Sequence, residues 1–196
     1  MVLISVPPTR PIIQVDLSAH FDNTGITRLD HLSGGAFSIW GNTFPAEELP
    51  DGPTMQSGGV SFRFPDRGPG GDNIRCAVQF IELPSGRYDW IYLIAAAERR
   101  TEDAMLLHYA DGSIDPEWLR VSDFWPETPG RFGERESLRC RSLHYPRHVQ
   151  TPMGPALWRE RVPVPREVAL AGIRFPDNPA IHVFALTLTG AAEAAA

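Results

Sequence analysis

The densest chemistry in this chain lies in one ten-residue stretch holding Arg139, Arg141, His144, Tyr145, Arg147 and His148. Histidine titrates near neutral pH, so two histidines four positions apart can serve as an acid/base pair. Guanidinium forks grip a carboxylate or phosphate through two parallel N–H bonds. His144 and His148 are therefore the candidate proton-transfer groups, with Asp22, Asp123 or Glu134 as carboxylate partner. Tyr145 and Arg147 are candidate ligand contacts. The stretch reads equally well as a solvated strand and loop tip, because Arg139 and Arg141 alternate as outward-facing residues do.

Two further groups could meet a ligand. His20 and Asp22 fall where the first strand should end, with Asp30 and His31 just beyond, at spacings that match no transition-metal motif. The five tryptophans are Trp40, Trp90, Trp118, Trp125 and Trp158. Aromatic faces can stack on the C–H faces of sugar rings, although core filling is the commoner use. Trp90 sits in an apolar run and is expected in the core. Trp40, Trp125 and Trp158 flank loops and are the ligand candidates. Asp123 and Glu134 flank the loop 126–136, where a carboxylate could accept sugar hydroxyls or cap a turn. His108 and His182 lie inside strands and read as structural; His182 alternates with Phe184, Leu186 and Leu188, which suggests one shared face.

Absences narrow the chemistry. All 18 cationic residues are arginine. Without lysine there is no Schiff base and no Walker A loop. Gly68-Pro69-Gly70-Gly71 precedes no helix, so it is not a phosphate cradle. No Gly-x-Ser-x-Gly elbow is present. Cys76 and Cys140, 64 positions apart, show no metal spacing and read as buried thiols.

The elements that must position these residues are strands. Period-2 patterning runs through 12–18, 35–40, 59–64, 73–83, 137–145, 156–164, 168–176 and 181–190. The run 88–97 (YDWIYLIAAA) is almost wholly apolar and is expected to be central and covered on both faces. Residues 104–125 read as a hairpin turning at Asp111-Gly112. Only Pro45–Leu49 is compatible with helix. With 17 glycines and 19 prolines, short elements joined by turns are favoured over long helices. The expected fold is all-β: a single-domain antiparallel β-sandwich, a jelly roll, over 1–190, followed by a flexible alanine-rich tail at 191–196. The net charge of −6 and the lack of a basic stripe argue against nucleic acid. No apolar run reaches the length of a membrane span, and the N-terminus is unlike a secretory signal, which points to the cytoplasm.

Several segments in order resemble the galactose-binding-like β-sandwich domains attached to actinobacterial glycoside hydrolases. They are HFDNTGIT at 20–27, FPAEEL at 44–49, GVSF at 59–62, DNI at 72–74, the hairpin from Tyr109 to Trp125, and the closing strand IHVFAL at 181–186. The resemblance spans roughly residues 13–190. It implies carbohydrate or small-metabolite recognition through loop aromatics and polar residues; the candidate contacts, singled out by residue type and position, are His20, Asp22, Trp40, Trp125, Glu134, Tyr145, Arg147 and Trp158, although the histidine- and arginine-rich segment 143–155 departs from the family's pattern. It also implies that Asp22 and Asn23 could hold a structural calcium, which needs at least six oxygens; otherwise no cofactor is expected. The alternative is a cofactor-independent lyase, isomerase or cyclase acting on a small, glycosylated or polyketide-like metabolite, with His144, His148 and Asp123 as its machinery. A homodimer or purely structural module is the third reading.

Overall fold

The computed structural model of the chain describes residues 12–66, 71–125 and 130–190. The expected tail at 191–196, the loop residues 126–129 and the glycines at 68 and 70 lie outside the described residues. Sixteen strands follow in chain order: β1 (Ile12–Val15), β2 (Ile26–Thr27), β3 (Phe44–Pro45), β4 (Thr54–Ser57), β5 (Val60–Arg63), β6 (Ile74–Arg75), β7 (Phe80–Gly86), β8 (Tyr88–Ala97), β9 (Thr101–Tyr109), β10 (Ile114–Val121), β11 (Arg135–Arg139), β12 (Leu143–Tyr145), β13 (His148–Gln150), β14 (Ala156–Pro163), β15 (Leu170–Arg174) and β16 (Ile181–Gly190). Helical structure among the described residues is confined to three short 3-10 turns, one of them at Ala46–Glu48 inside the segment the sequence marks as helix-compatible. None of these is long or apolar enough to cross a membrane.

Two antiparallel sheets form the sandwich. The larger has the order β1-β16-β8-β14-β11, with β6 also pairing β16; the smaller has the order β10-β9-β15-β7. β8 sits in the middle of the larger sheet, as its apolar run predicts. Its Leu93, Ala95 and Ala97 pack into the core between the sheets. Its Ile94 and Ala96 point the other way, into a second core. That second core is closed by a cover of short ribbons from residues 26–64 and 138–153, which bury Phe37, Phe44, Phe62 and Phe64 against Phe184. Each buried phenylalanine contributes roughly 1.5–3 kcal/mol relative to exposure, so the cover is held by an extensive apolar contact.

Four expectations need correction. The 137–145 run is not one strand but breaks into β11 and β12, which lie in different sheets. Residues 35–40 form no strand; they are a loop in which Phe37 is fully buried while Ile39 and Trp40 are 82% and 72% exposed. The alternation of residue type in the sequence imitates a strand, but burial does not follow it, since Phe37 and Ile39 share a parity and end up in opposite environments. The 73–83 run breaks into β6 and β7 around Val78, which has φ +59°. In β16 the register slips between Val183 and Ala185, so His182 and Phe184 face the second core while Leu186 and Leu188 face the first. A bulge adds one residue and flips the face, which a fixed period cannot anticipate. The Asp111-Gly112 turn joins β9 to β10 as expected, with Asp111 Oδ1 accepting the Ser113 N–H at 2.9 Å. Both cysteines are free and buried, and burial pushes both thiols up.

Glu160 is a polar intruder in β14. It is 5% exposed, and among the described residues its Oε1 has no hydrogen-bond partner. Burial first, then the charge of Glu134, pushes its carboxyl up to about 9 from an ordinary 4.5. The folded chain thus keeps a proton that the unfolded chain releases, and stability falls as pH rises between these two values. Glu160→Gln removes this dependence. The melting temperature of the variant relative to the wild type should be roughly 10 °C higher at pH 8 than at pH 5, since nearly three pH units of linkage at about 1.4 kcal/mol each are read at roughly 2–4 °C per kcal/mol for a chain of this size. Parallel pH profiles for the two proteins in differential scanning calorimetry would contradict this account.

Candidate functional site

The cover and the sandwich meet at one end around an open cavity of about 450 Å3. Its walls come from four places: the loop Ser38–Asn42, the β8–β9 turn with Glu98 and Arg99, the segment after β10 with Asp123 and Trp125, and Asn178–Ala180 before β16. Arg75 of β6 completes it. The size is within the range of small-molecule sites. A second cavity, of about 570 Å3, lies near Asp16, Phe21 and Arg63. Arg63 there is already paired with Asp16 at 2.9 Å, and no exposed aromatic lines that cavity. The first cavity is the candidate site.

Its rim is built by a local turn. Ser38 Oγ donates to Asn42 Oδ1 at 2.7 Å and accepts the Trp40 N–H at 3.1 Å. The Gly41 N–H closes the turn on the Ser38 carbonyl at 2.8 Å. Gly41 has φ +66°, and a Cβ there would meet Pro146 at 2.9 Å, so glycine is required. The turn lifts Ile39 and Trp40 to the lip. Across the cavity, Asp123 Oδ1 accepts the Trp125 N–H at 2.9 Å, and the Trp158 indole N–H donates to the Asp123 carbonyl at 2.9 Å. Burial raises the Asp123 carboxyl above its ordinary value, against the Trp125 bond. Among the described residues Asp123 has no cationic partner.

The floor is a polar network inside the second core. Arg75 reaches Glu98 Oε1 at 3.2 Å and the Pro179 carbonyl at 3.0 Å. Behind Glu98 lies His182, fully buried, with Nε2 at 3.7 Å from Glu98 Oε1. His182 Nδ1 meets Asn73 Oδ1 at 2.9 Å. Asn73 Nδ2 in turn donates to Asp72 Oδ1 at 2.7 Å, and Asp72 accepts the N–H groups of Gly25 and Ile26 at 2.8 and 2.9 Å. A Cβ at Gly25 would come within 2.7 Å of Asn73 Nδ2, so the backbone just before β2 can approach this closely only as glycine. Burial pushes the Asp72 carboxyl up to about 6, opposed by these N–H bonds. Burial alone would raise the Glu98 carboxyl too; the His182 contact, Arg75 and the Ile39 N–H outweigh it and hold Glu98 below the usual carboxylate range.

Of the residues marked in the sequence, Trp40, Asp123 and Trp125 meet at this cavity. The others do not line it. Trp158 is 3% exposed, because strand alternation places it on the inner face of β14; it supports Asp123 from behind. Trp90, expected in the core, is half-buried beneath the Arg161 guanidinium at 4.2 Å. His144 is buried under the cover, with Nδ1 at 3.0 Å from Thr27 Oγ1, and burial lowers its pKa. His148 is exposed on the β12–β13 hairpin, its ring stacked on Tyr145 at 4.8 Å, and Arg147 is exposed at the hairpin tip. The proposed His144/His148 pair therefore does not converge with Asp123 on one space. Glu134 caps its own turn by accepting the N–H groups of Arg131 and Phe132 at 3.1 and 2.6 Å. His20 is half-buried at the end of a 3-10 turn. The Asp22 carboxylate accepts the Arg75 N–H at 2.8 Å and Gln79 Nε2 at 2.7 Å, and Asn23 Nδ2 donates to Asn73 Oδ1 at 3.1 Å. No group of three or more His, Cys, Asp or Glu side chains among the described residues could hold a metal.

Sequence reasoning missed Glu98 and Arg75 and took His182 for a structural residue. The signal for Glu98 was its place directly after the apolar run of β8, where a charge must emerge at the sheet end. Replacing Asp72 by alanine would leave the Gly25 and Ile26 N–H groups buried without an acceptor, at about 1–3 kcal/mol each. Asp72→Ala should therefore lower unfolding stability by about 2–4 kcal/mol in urea titration, and a loss under about 1 kcal/mol would show that the network is not load-carrying.

Comparison with known proteins supplies the family. No curated protein matches the chain. The profile of the AziU2-like beta-sandwich domain matches residues 11–192, nearly the whole length. The chain therefore belongs to the AziU2-like β-sandwich domain family.

Proposed function

We propose that this β-sandwich binds a saccharide or another small polyhydroxylated metabolite in the cavity between Trp40 and Trp125. The observation that carries the reading is the pairing of an exposed tryptophan with an unneutralised, half-buried carboxyl. Trp40 is 72% exposed at the lip, an uncommon cost for a side chain that would otherwise bury its ring. Asp123 faces the same space as a hydroxyl acceptor, and Arg99 is an exposed donor at the edge. Apolar faces with a few convergent polar groups are what such ligands require. The galactose-binding-like resemblance of the sequence supports the same reading.

The enzymatic alternative, a cofactor-independent lyase, isomerase or cyclase, is less well supported. Its proposed histidines lie away from the cavity, and Asp123 is the one member of that set lining it.

A thermal-shift screen against mono- and disaccharides and small hydroxylated metabolites should find a stabilising compound, since a ligand that binds only the folded state raises stability by mass action. Trp40→Ala and Asp123→Asn should each weaken that compound at least tenfold, equivalent to about 1.4 kcal/mol, while leaving the melting temperature of the free protein within a few degrees. A screen with no response, or a hit that both variants bind unchanged, would overturn the reading.

A further inference from the structure

The cavity's own hydrogen bonds leave two of its polar side chains without a task. Ser38 and Asn42 bond each other at the rim, at 2.7 Å. Arg75 holds Glu98 at 3.2 Å and the Pro179 carbonyl at 3.0 Å. Asn178 donates to Thr101 Oγ1 and Asp103 Oδ2 at 3.2 and 3.1 Å, and accepts the Ala180 N–H at 3.3 Å. Beside the indoles, Asp123 and Arg99 remain. One oxygen of Asp123 accepts the Trp125 N–H. Arg99 is exposed and lines the cavity, and among the described residues its side chain makes no ion pair and no hydrogen bond. The backbone that carries Arg99 is clamped on both sides: the Ala97 carbonyl accepts the Phe124 N–H at 3.0 Å, and the Glu98 N–H donates to the Ala180 carbonyl at 2.9 Å. The root of the arginine is thus fixed between the Asp123–Trp125 wall and the Asn178–Ala180 wall, and only its head is free.

We propose that Arg99 is the anion-binding residue of this cavity, and that the ligand is an acidic polyhydroxylated metabolite carrying a carboxylate or phosphate group. A guanidinium presents parallel N–H donors matched to two oxygens of such a group. A neutral ligand closing over the cavity would take water from Arg99 and supply no counter-charge, which is unfavourable. Asp123 sets the direction of binding. Its carboxylate repels an acid group and accepts a hydroxyl, so the acid end lies toward Arg99 and the hydroxyls toward Asp123. Glu98 does not oppose this, because Arg75 already neutralises it. Arg100, the next residue, is exposed too but does not line the cavity, so the preference for an acid is carried by one arginine and not by the pair.

The proposal rests on the reading of this cavity as the ligand site and adds the charge of the ligand. The test is a 15N NMR titration of the whole chain with matched sets of hexose, hexuronate and hexose 6-phosphate in the gluco, galacto and manno configurations. It is run at about 0.15 M salt, where charges farther away than about 8 Å are largely screened. Binding is followed at the Trp125 indole N–H and the Arg99 Nε–H. The expected result is that an acidic member of a set binds at least about tenfold tighter than its neutral hexose, as hydrogen bonds to a charged group allow, and shifts the Arg99 Nε–H saturably. Arg99→Gln should abolish that advantage, and Arg100→Gln should leave it intact. Whether the uronate or the phosphate leads its set decides which anion the ligand carries. Equal affinities within every set, an acid preference that survives Arg99→Gln, or one that Arg100→Gln removes as well would overturn the proposal and leave the cavity a site for neutral sugars. Binding by no member of any set would overturn the proposal together with the reading it rests on.

Discussion

Both faces of β8 are apolar, and most of the architecture follows from that. A strand of this kind cannot sit in a sheet with one wet side. The smaller sheet covers one face, and the ribbons from residues 26–64 and 138–153 must cover the other. The cover has little regular structure of its own: its ladders are two to four residues long. It is held by aromatic rings instead, with Phe37 and Phe44 in contact with each other and each with Phe124 and Phe184 at centroid distances of 4.9 to 6.5 Å. Such rings supply area without needing hydrogen-bonded order.

A cover of irregular backbone brings polar groups into an apolar layer, and each must find a partner. Asp72 and Asn73 meet that need, tying the backbone at Asn23, Gly25 and Ile26 to the edge of the larger sheet. Glu48 does the same at the other side, accepting the Arg141 and Ser142 N–H groups. His144 and Thr27 join the two ends of the cover. Where the cover stops, at the β8–β9 turn and the start of β16, the polar network reaches the surface through Glu98 and Arg75. The candidate site is thus the open end of the second core, and its aromatic lip is the last exposed piece of the layer that buries Phe37.

The sandwich was legible because its long strands carry plain signals. β8, β9, β10, β14 and β16 match the patterned runs closely, and Asp111-Gly112 marked the hairpin. The cover was not legible, because its residues are fixed by contacts across the chain and not by local period. Residues 35–40 show this best: Phe37 is buried by partners at 44, 124 and 184, and the alternation around it imitates a strand. The site was half legible for the same reason. Trp40, Asp123 and Trp125 stood out by residue type beside loops. Glu98, Arg75 and His182 became a group only through the pairing of β6 and β8 with β16. The His144–His148 segment drew attention by density, yet its members face different surroundings, one inside the cover and one in solvent.

The most direct test is a map of the tryptophan indole N–H signals during titration with the saccharide or polyol that most stabilises the chain. Five indoles report from distinct places: Trp40 and Trp125 at the cavity, Trp158 beneath Asp123, Trp90 beside Arg161 and Trp118 on the exposed face of the smaller sheet. The account predicts saturable shifts at Trp40 and Trp125, a smaller one at Trp158, and none at Trp90 or Trp118. Shifts centred on Trp118 or Trp90, with Trp40 unmoved, would contradict it.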